Sequence, residues 1–188
     1  MDKPTKAHLS YAKDVLRYLK GTISQKLTFH ASKEPLNLIG YTDSDYAGSD
    51  DRKSSSGYCF KLSDESGLIS WKTKKQDVVA LSSCEAEYIA LSYAVQEGKF
   101  LQQVAADMQH KPLSEFDLFC DNQGALKLAG NQIHQQRSKH IDVKYHFVRS
   151  EVEKGNVRLD YVPTSANIAD MFTKPLPRIK MNMFNYSG

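Results

Sequence analysis

No stretch of this sequence approaches the roughly 20 consecutive apolar residues that a membrane-spanning helix needs, so no membrane partner is expected. Residues Met1 to Ala7 are polar, which argues against a secretory signal peptide. Cysteine is scarce: Cys59, Cys84 and Cys120 are the three in 188 residues, and they lie far apart. No pair has a metal-binding spacing such as Cys-x-x-Cys. Buried free thiols in a reducing compartment are the expectation, and the chain reads as intracellular. Neither sign of charge dominates, since 25 Lys and Arg oppose 22 Asp and Glu for a net charge of +3. Such a mild excess hints at a polyanionic partner but carries no argument alone. There is no internal repeat.

What is present suits one folded domain with an appendage: 188 residues, 40% hydrophobic and 25% charged. The chain is organised around Gly40-Tyr41-Thr42-Asp43-Ser44-Asp45-Tyr46-Ala47-Gly48. Leu36, Leu38 and Ile39 lead into it as a strand, which then ends in carboxylates and a glycine turn. Asp is depleted in strands. A carboxylate held there needs a proton, a cation or a hydrogen bond to offset its desolvation.

Residues 5–20 carry an apolar stripe of helical period, stopped by Gly21. Leu27-Thr28-Phe29 reads as a short strand, and Ser32 to Pro35 as a linker-like break. Residues 1–30 are therefore an appendage, and 36–176 the main domain. Tyr58–Leu62 and Leu68–Trp71 continue the first strand into an antiparallel meander. Ser82 and Glu85 form a capping box that opens the longest helix, running to Met108. Its core stripe is Glu87, Ala90, Leu91, Ala94, Gly98, Leu101, Ala105 and Met108, with Glu85, Ser92 and Gln96 on the polar face. Phe116–Cys120 is a buried strand, residues 124–129 a helix, 156–162 a strand and 165–173 a last helix stopped by Pro175. The tail 177–188 shows no pattern and reads as disordered. Hairpins followed by helical crossovers imply an α/β class, a mixed sheet with helices packed on it.

Four carboxylates stand out by position. Asp43 and Asp121 end strands, Glu87 heads the buried stripe of the long helix, and Asp170 lies among apolar residues of the last helix. Sites in such sheets form outside the carboxyl ends of strands, so Asp43 and Asp121 converge if the first and fourth strands are neighbours. Clustered carboxylates repel, and hard divalent cations with oxygen ligands, magnesium or manganese, resolve the repulsion. Plainer readings stay open: Asp121 as a helix cap, Asp170 as complement to a helix N-terminus, Asp43 as a turn residue. Two other metal readings fail. The Asp43-Ser44-Asp45 start of an EF-hand loop meets Ser54 where Glu is required. His134, His140 and His146 recur every six residues, which does not place them on one helix face.

Several motifs occur together in order: Tyr41-Thr42-Asp43, Asp51-Arg52-Lys53-Ser54-Ser55-Ser56-Gly57-Tyr58, Ile69-Ser70-Trp71-Lys72 and Ser82-Ser83-Cys84-Glu85-Ala86-Glu87-Tyr88. Cys120-Asp121-Asn122-Gln123, Ser138-Lys139-His140-Ile141-Asp142 and Ile168-Ala169-Asp170-Met171-Phe172-Thr173-Lys174-Pro175-Leu176 follow. Over residues 4–177 the chain resembles the ribonuclease H domain of copia-type retrotransposon polyproteins, with residues 4–30 similar to the end of the adjoining reverse transcriptase. The resemblance implies a five-stranded mixed sheet and a two-metal nuclease cutting the RNA strand of an RNA–DNA hybrid. It implies that Asp43 bridges two magnesium or manganese ions. Asp170 would hold the ion that activates water, and Glu87 and Asp121 the ion at the leaving oxygen. It also implies the reverse transcriptase portion of the polyprotein as a partner. One departure is the loop Pro163-Thr164-Ser165, where many ribonucleases H carry a histidine. Arg137, Lys139, Lys144 and Arg149, with His140, are candidate phosphate contacts; a solvated basic face is the plainer reading. A catalytically silent nucleic-acid- or protein-binding module is the alternative function. An integrase-like nuclease is a third reading.

Overall fold

The computed structural model describes residues 3–29, 37–109, 115–130, 139–177 and 179–181, with the side chains of residues 109 and 139–141 left aside. In chain order the elements are α1 (Lys6–Gly21), β1 (Ile39–Asp45), β2 (Ser55–Lys61), β3 (Leu68–Lys75), α2 (Ser83–Gln109), β4 (Phe116–Cys120), α3 (Gln123–Gly130), α4 (Lys139–Glu153) and β5 (Val157–Tyr161). Two short 3-10 turns close the order, Thr164–Ala166 and Ile168–Phe172.

The five strands form one mixed sheet in the order β3-β2-β1-β4-β5. β1 to β3 are an antiparallel meander, while β1, β4 and β5 run parallel. The parallel pairs need crossovers, and α2 and then α3 with α4 supply them. Phe60, Phe116, Leu118 and Val157 of the sheet pack with Leu91, Ala94 and Val95 of α2 and with Val148 of α4. Gly98 lets α2 approach the sheet: a Cβ there would sit 2.4 Å from the Phe116 ring.

Several expectations are corrected. β1 begins at Ile39, with Leu38 just before it and Leu36 outside the described residues, and runs two residues past Asp43. Residues 27–29 form no strand; the Thr28 carbonyl instead accepts from the Gly67 amide at 2.9 Å, beside the β2–β3 turn. Ser92 is fully buried rather than on a polar face, because α2 has cover on two sides, the sheet on one and Ala80 with Val78 against Ile89 on the other. Met108 is 78% exposed, because α2 runs beyond the core at that end. The last helix is two 3-10 turns broken at Asn167, whose extended backbone separates them. Residues 179–181 of the tail take a helical turn, with the Met181 amide bonded to the Pro177 carbonyl.

The linker-like break at 32–35 lies outside the described residues. No residue of α1 is buried, and its stripe of Leu9, Val15, Leu16 and Leu19 is exposed. Cys59 and Cys120 are buried free thiols and Cys84 is a half-buried one. Among the described residues no helix is long and apolar enough to cross a membrane.

Candidate metal centre

The register of the parallel pair decides where the carboxylates go. Thr42 of β1 lies opposite Cys120 of β4. The next residue of each chain is therefore a neighbour at the carboxyl edge, and these are Asp43 and Asp121. Asp121 is not the helix cap: the Asn122 Oδ1 accepts from the Ala125 amide at 3.0 Å and caps α3. That leaves the Asp121 side chain half-buried at the strand end.

Glu87 arrives from the first turns of α2. The Ser82 hydroxyl caps that helix by accepting from the Glu85 amide at 3.1 Å. Glu85 accepts from the Leu81 amide at 2.7 Å, one residue beyond the Ser82 amide that the capping box predicts. The two glutamates thus separate, and Glu87 is only 6% exposed. Its Oε1 accepts from the Ser44 amide at 3.3 Å. Its Oε2 is buried with no hydrogen-bond partner.

Asp170 comes from the second 3-10 turn, which Asn167 ties to β1. The Asn167 amide nitrogen donates to the Thr42 carbonyl at 3.0 Å, while its oxygen accepts from the Ala169 amide at 3.1 Å. Gly57, paired with Asp43 across β1 and β2, lets this turn close. A Cβ on Gly57 would lie 2.7 Å from Thr173 Cγ2 and 3.0 Å from Phe172 Cβ. The Thr73 hydroxyl donates to the Phe172 carbonyl at 2.6 Å and pins the same turn from β3. Asp170 sits mid-turn, so it does not complement the N-terminus of a regular helix.

The result is two overlapping groups of ligand atoms. One oxygen each from Asp43, Asp121 and Asp170 lie within 4.8 Å of one another, and one atom each from Glu87, Cys120 and Asp121 do likewise. Asp121 belongs to both. Burial, with the charges of Glu87 and Asp121 added, pushes the Cys120 thiol well up, which disfavours its thiolate form beside the carboxylates. The remaining ligands are carboxylate oxygens, of which Glu87 Oε2 and Asp170 Oδ1 are buried without a hydrogen bond among the described residues, the latter beside the Lys174 ammonium. That suits a hard divalent cation better than a soft one.

Electrostatics show the strain of bringing these groups together. Burial, then the charges of Asp43 and Asp121, push Glu87 from its ordinary 4.5 up to about 8. Burial also raises Asp43, against the Thr173 hydroxyl and the Lys174 ammonium, which favour its charged form. Between its ordinary value and about 8, the folded protein holds a Glu87 proton that the unfolded chain has released. Metal-free stability therefore falls as pH rises through that window and levels off above it. In chelator, the melting temperature should decline from about pH 5 to about pH 8, and Glu87→Gln should remove part of that decline. An unchanged slope in the variant would mean that Glu87 does not titrate there.

Sequence reasoning missed Asn167, Ser44, Thr173, Lys174 and Lys180. The Thr173 hydroxyl donates to Asp43, and Lys174 Nζ lies 2.7 Å from Asp170 Oδ1 and 3.4 Å from Asp43 Oδ2. Lys180 Nζ pairs with Asp170 Oδ2. Thr173 and Lys174 stand inside the motif around Asp170, which was the available signal; Asn167 directly precedes it.

Of the basic candidates, Lys144 lies with its ammonium 4.3 Å from the Tyr93 ring centre. Arg149 donates to the Leu128 carbonyl from Nε at 3.2 Å and Nη2 at 3.3 Å, closing the end of α3. Lys139 and His140 are in α4 with side chains outside the described set, and Arg137 and His134 lie outside the described residues.

No protein-family model matches the chain. It is 42% identical over 188 residues to the retrovirus-related Pol polyprotein from transposon TNT 1-94 of Nicotiana tabacum, covering 97% of this chain and 14% of that polyprotein. Against the Pol polyprotein from transposon RE2 of Arabidopsis thaliana it is 37% identical over 190 residues, covering 98% of this chain and 13% of the relative. The chain thus spans a small part of the polyproteins it matches. Among solved structures, ribonuclease H1 from Halobacterium salinarum superposes with a TM-score of 0.52 at 18% identity, covering 73% of this chain and 94% of that one. A ribonuclease H1 solved in complex with an RNA/DNA hybrid gives a TM-score of 0.53 at 16% identity, covering 73% and 94%. These likenesses show the ribonuclease H fold.

Proposed function

We propose that this chain, which belongs to the copia-type retrotransposon Pol family, is a ribonuclease H that hydrolyses the RNA strand of RNA–DNA hybrids with two divalent metal ions, magnesium or manganese. The observation that carries the reading is the convergence of Asp43, Glu87, Asp121 and Asp170 at one sheet edge, with a buried Glu87 oxygen that makes no hydrogen bond among the described residues. A structural cluster would place a donor on that oxygen, because a buried unpaired acceptor costs about 1–3 kcal/mol. The family and the fold raise the prior for this chemistry but do not supply it.

In this reading the four carboxylates would hold the ions, which when bound generate a nucleophile from water and stabilise the leaving oxygen of an in-line displacement. The chain's own work is placement. The Asn167 bridge and the Gly57 contact fix Asp170 against β1, and the Ser44 amide fixes the Glu87 carboxylate plane. Burial of Asp43, Glu87 and Asp170 excludes water from all but the open side, where Asp121 is half-exposed. A fixed set of charges of this kind costs little reorganisation during reaction. Hybrid recognition would rest on 2′-hydroxyls and groove shape rather than base sequence.

The test is cleavage of a labelled RNA–DNA hybrid beside double-stranded DNA of the same sequence, with magnesium or manganese and then with chelator. Cleavage of the RNA strand that chelator abolishes, with the DNA duplex intact, is the expected result. Efficient cutting of double-stranded DNA would instead favour an integrase-like nuclease. Binding of hybrid without any cleavage would favour a silent module.

A further inference from the structure

The carboxylates of the metal centre are not equally satisfied by the protein. On one side, Asp170 meets two ammonium groups: Lys174 at 2.7 Å from Oδ1, and Lys180 on Oδ2. Lys174 also stands 3.4 Å from Asp43 Oδ2, where the Thr173 hydroxyl donates as well. On the other side, Glu87 Oε2 is buried and, among the described residues, has no hydrogen bond and no ammonium beside it, whereas Asp170 Oδ1, also without a hydrogen bond, has the Lys174 ammonium. Protein cations thus stand against the Asp43 and Asp170 carboxylates, while among the described residues no ammonium stands against Glu87.

We propose that Lys174 and Lys180 are built-in counter-ions of the Asp43–Asp170 half of the centre. They make the two halves load divalent cations in order: the Glu87–Asp121 half first, and the Asp43–Asp170 half only as the lysines withdraw. The inference rests on the reading of these four carboxylates as a metal site.

The lysine side chain suits the task. It is a compact point charge on a flexible stem with three donors, able to leave without disturbing the backbone. Lys174 and Lys180 are 35% and 26% exposed at their side chains, so both have a way out to water. Lys180 is bound to Asp170 and to the Thr164 carbonyl at 3.2 Å, from a helical turn at residues 179–181. Its neighbour Met181 is bonded back to Pro177, which returns the lysine to the site after it leaves. A ligand that must displace a bound competitor shows an apparent affinity reduced by that competitor, and the reduction falls on the half where the competitor sits.

The experiment is calorimetric titration of Mn2+ at constant pH into the metal-free protein, its Lys180→Gln variant and its Lys174→Gln, Lys180→Gln double variant. The wild type should take one ion readily and a second more weakly. In the double variant the second Kd should fall about tenfold with the first unchanged. Lys180→Gln alone should shift the second Kd in the same direction and by less, and it keeps the question decidable if Lys174→Gln does not fold. An unchanged second Kd in Lys180→Gln and in the double variant would overturn the inference, as would a shift confined to the first ion. Glu87→Gln separates the two readings. It should weaken the first ion if the centre is a metal site. Undiminished binding of both ions would overturn the site reading and the inference with it.

Discussion

Asp43→Asn is expected to lower hybrid cleavage by about 10³-fold and to raise the melting temperature of the metal-free protein. The activity loss follows from position. Asp43 is 2% exposed and shares its oxygen cluster with Asp121 and Asp170. An amide offers one neutral oxygen where a carboxylate offers two that share a charge, so a cation held there would lose a charge and one of two possible ligand atoms. Charge stabilisation by a metal is worth several kcal/mol, and each 1.36 kcal/mol is tenfold in rate, which gives about 10³-fold. The stability gain follows from the same residue without metal. Burial raises Asp43 despite the Thr173 hydroxyl and the Lys174 ammonium, so its charged form costs more in the fold than in the unfolded chain. Asn has nearly the same shape and no charge to desolvate. Lys174 keeps its contact with Asp170 in the variant. Cleavage rates with magnesium and thermal melts in chelator read the two effects separately. A variant that cuts hybrid normally would remove Asp43 from the site.

The second large effect separates two glutamates on one helix. Glu87→Gln should abolish most activity, again by about 10³-fold, with little loss of fold. Glu85→Gln should leave activity nearly intact. In the Glu87 variant the amide oxygen can keep the bond from the Ser44 amide, and Asp43 and Asp121, whose charges raise Glu87, are acceptors for its new N–H. The packing is therefore retained while one charged ligand is gone. Glu85 works at the helix start, accepting from the Leu81 amide, a bond that a glutamine oxygen can also accept. Circular dichroism and melting would show both variants folded, and the hybrid assay would show only one inactive. Equal loss of activity in both would mean that the start of α2, rather than the Glu87 carboxylate, is what cleavage depends on.

Much of this was legible from the chain. Short apolar runs placed β2, β3 and β4 and a period-3.6 stripe placed α2, while the polar residues 55–57 and 72–75 that extend β2 and β3 gave no such signal. Glu87 on an otherwise apolar stripe was visible for the same reason: a carboxylate there is a local contradiction, and such contradictions mark sites. The three other carboxylates were visible as strand-end or core positions with no local partner.

What the pattern could not carry was anything set between distant segments. Thr42 opposite Cys120 is a register between strands nearly eighty residues apart, and only that register makes Asp43 and Asp121 neighbours. The last helix was misread because Ile168, Ala169, Met171 and Phe172 are apolar whatever turn they adopt. Asn167 reaching the Thr42 carbonyl breaks the helix there, and that bond is tertiary. Ser92 looked polar by type but is buried, because α2 is covered on two sides and its hydroxyl is satisfied by the Ile89 carbonyl of its own helix. Lys180 was invisible as a site residue, since a lone lysine in an unpatterned stretch reads as solvated surface, whereas Lys174 at least stood in the motif around Asp170. Residue type and period determine which side chains must be buried and which carboxylates are costly. Only the folded sheet decides which groups meet them, because the partners come from segments whose separation in sequence holds no periodic signal.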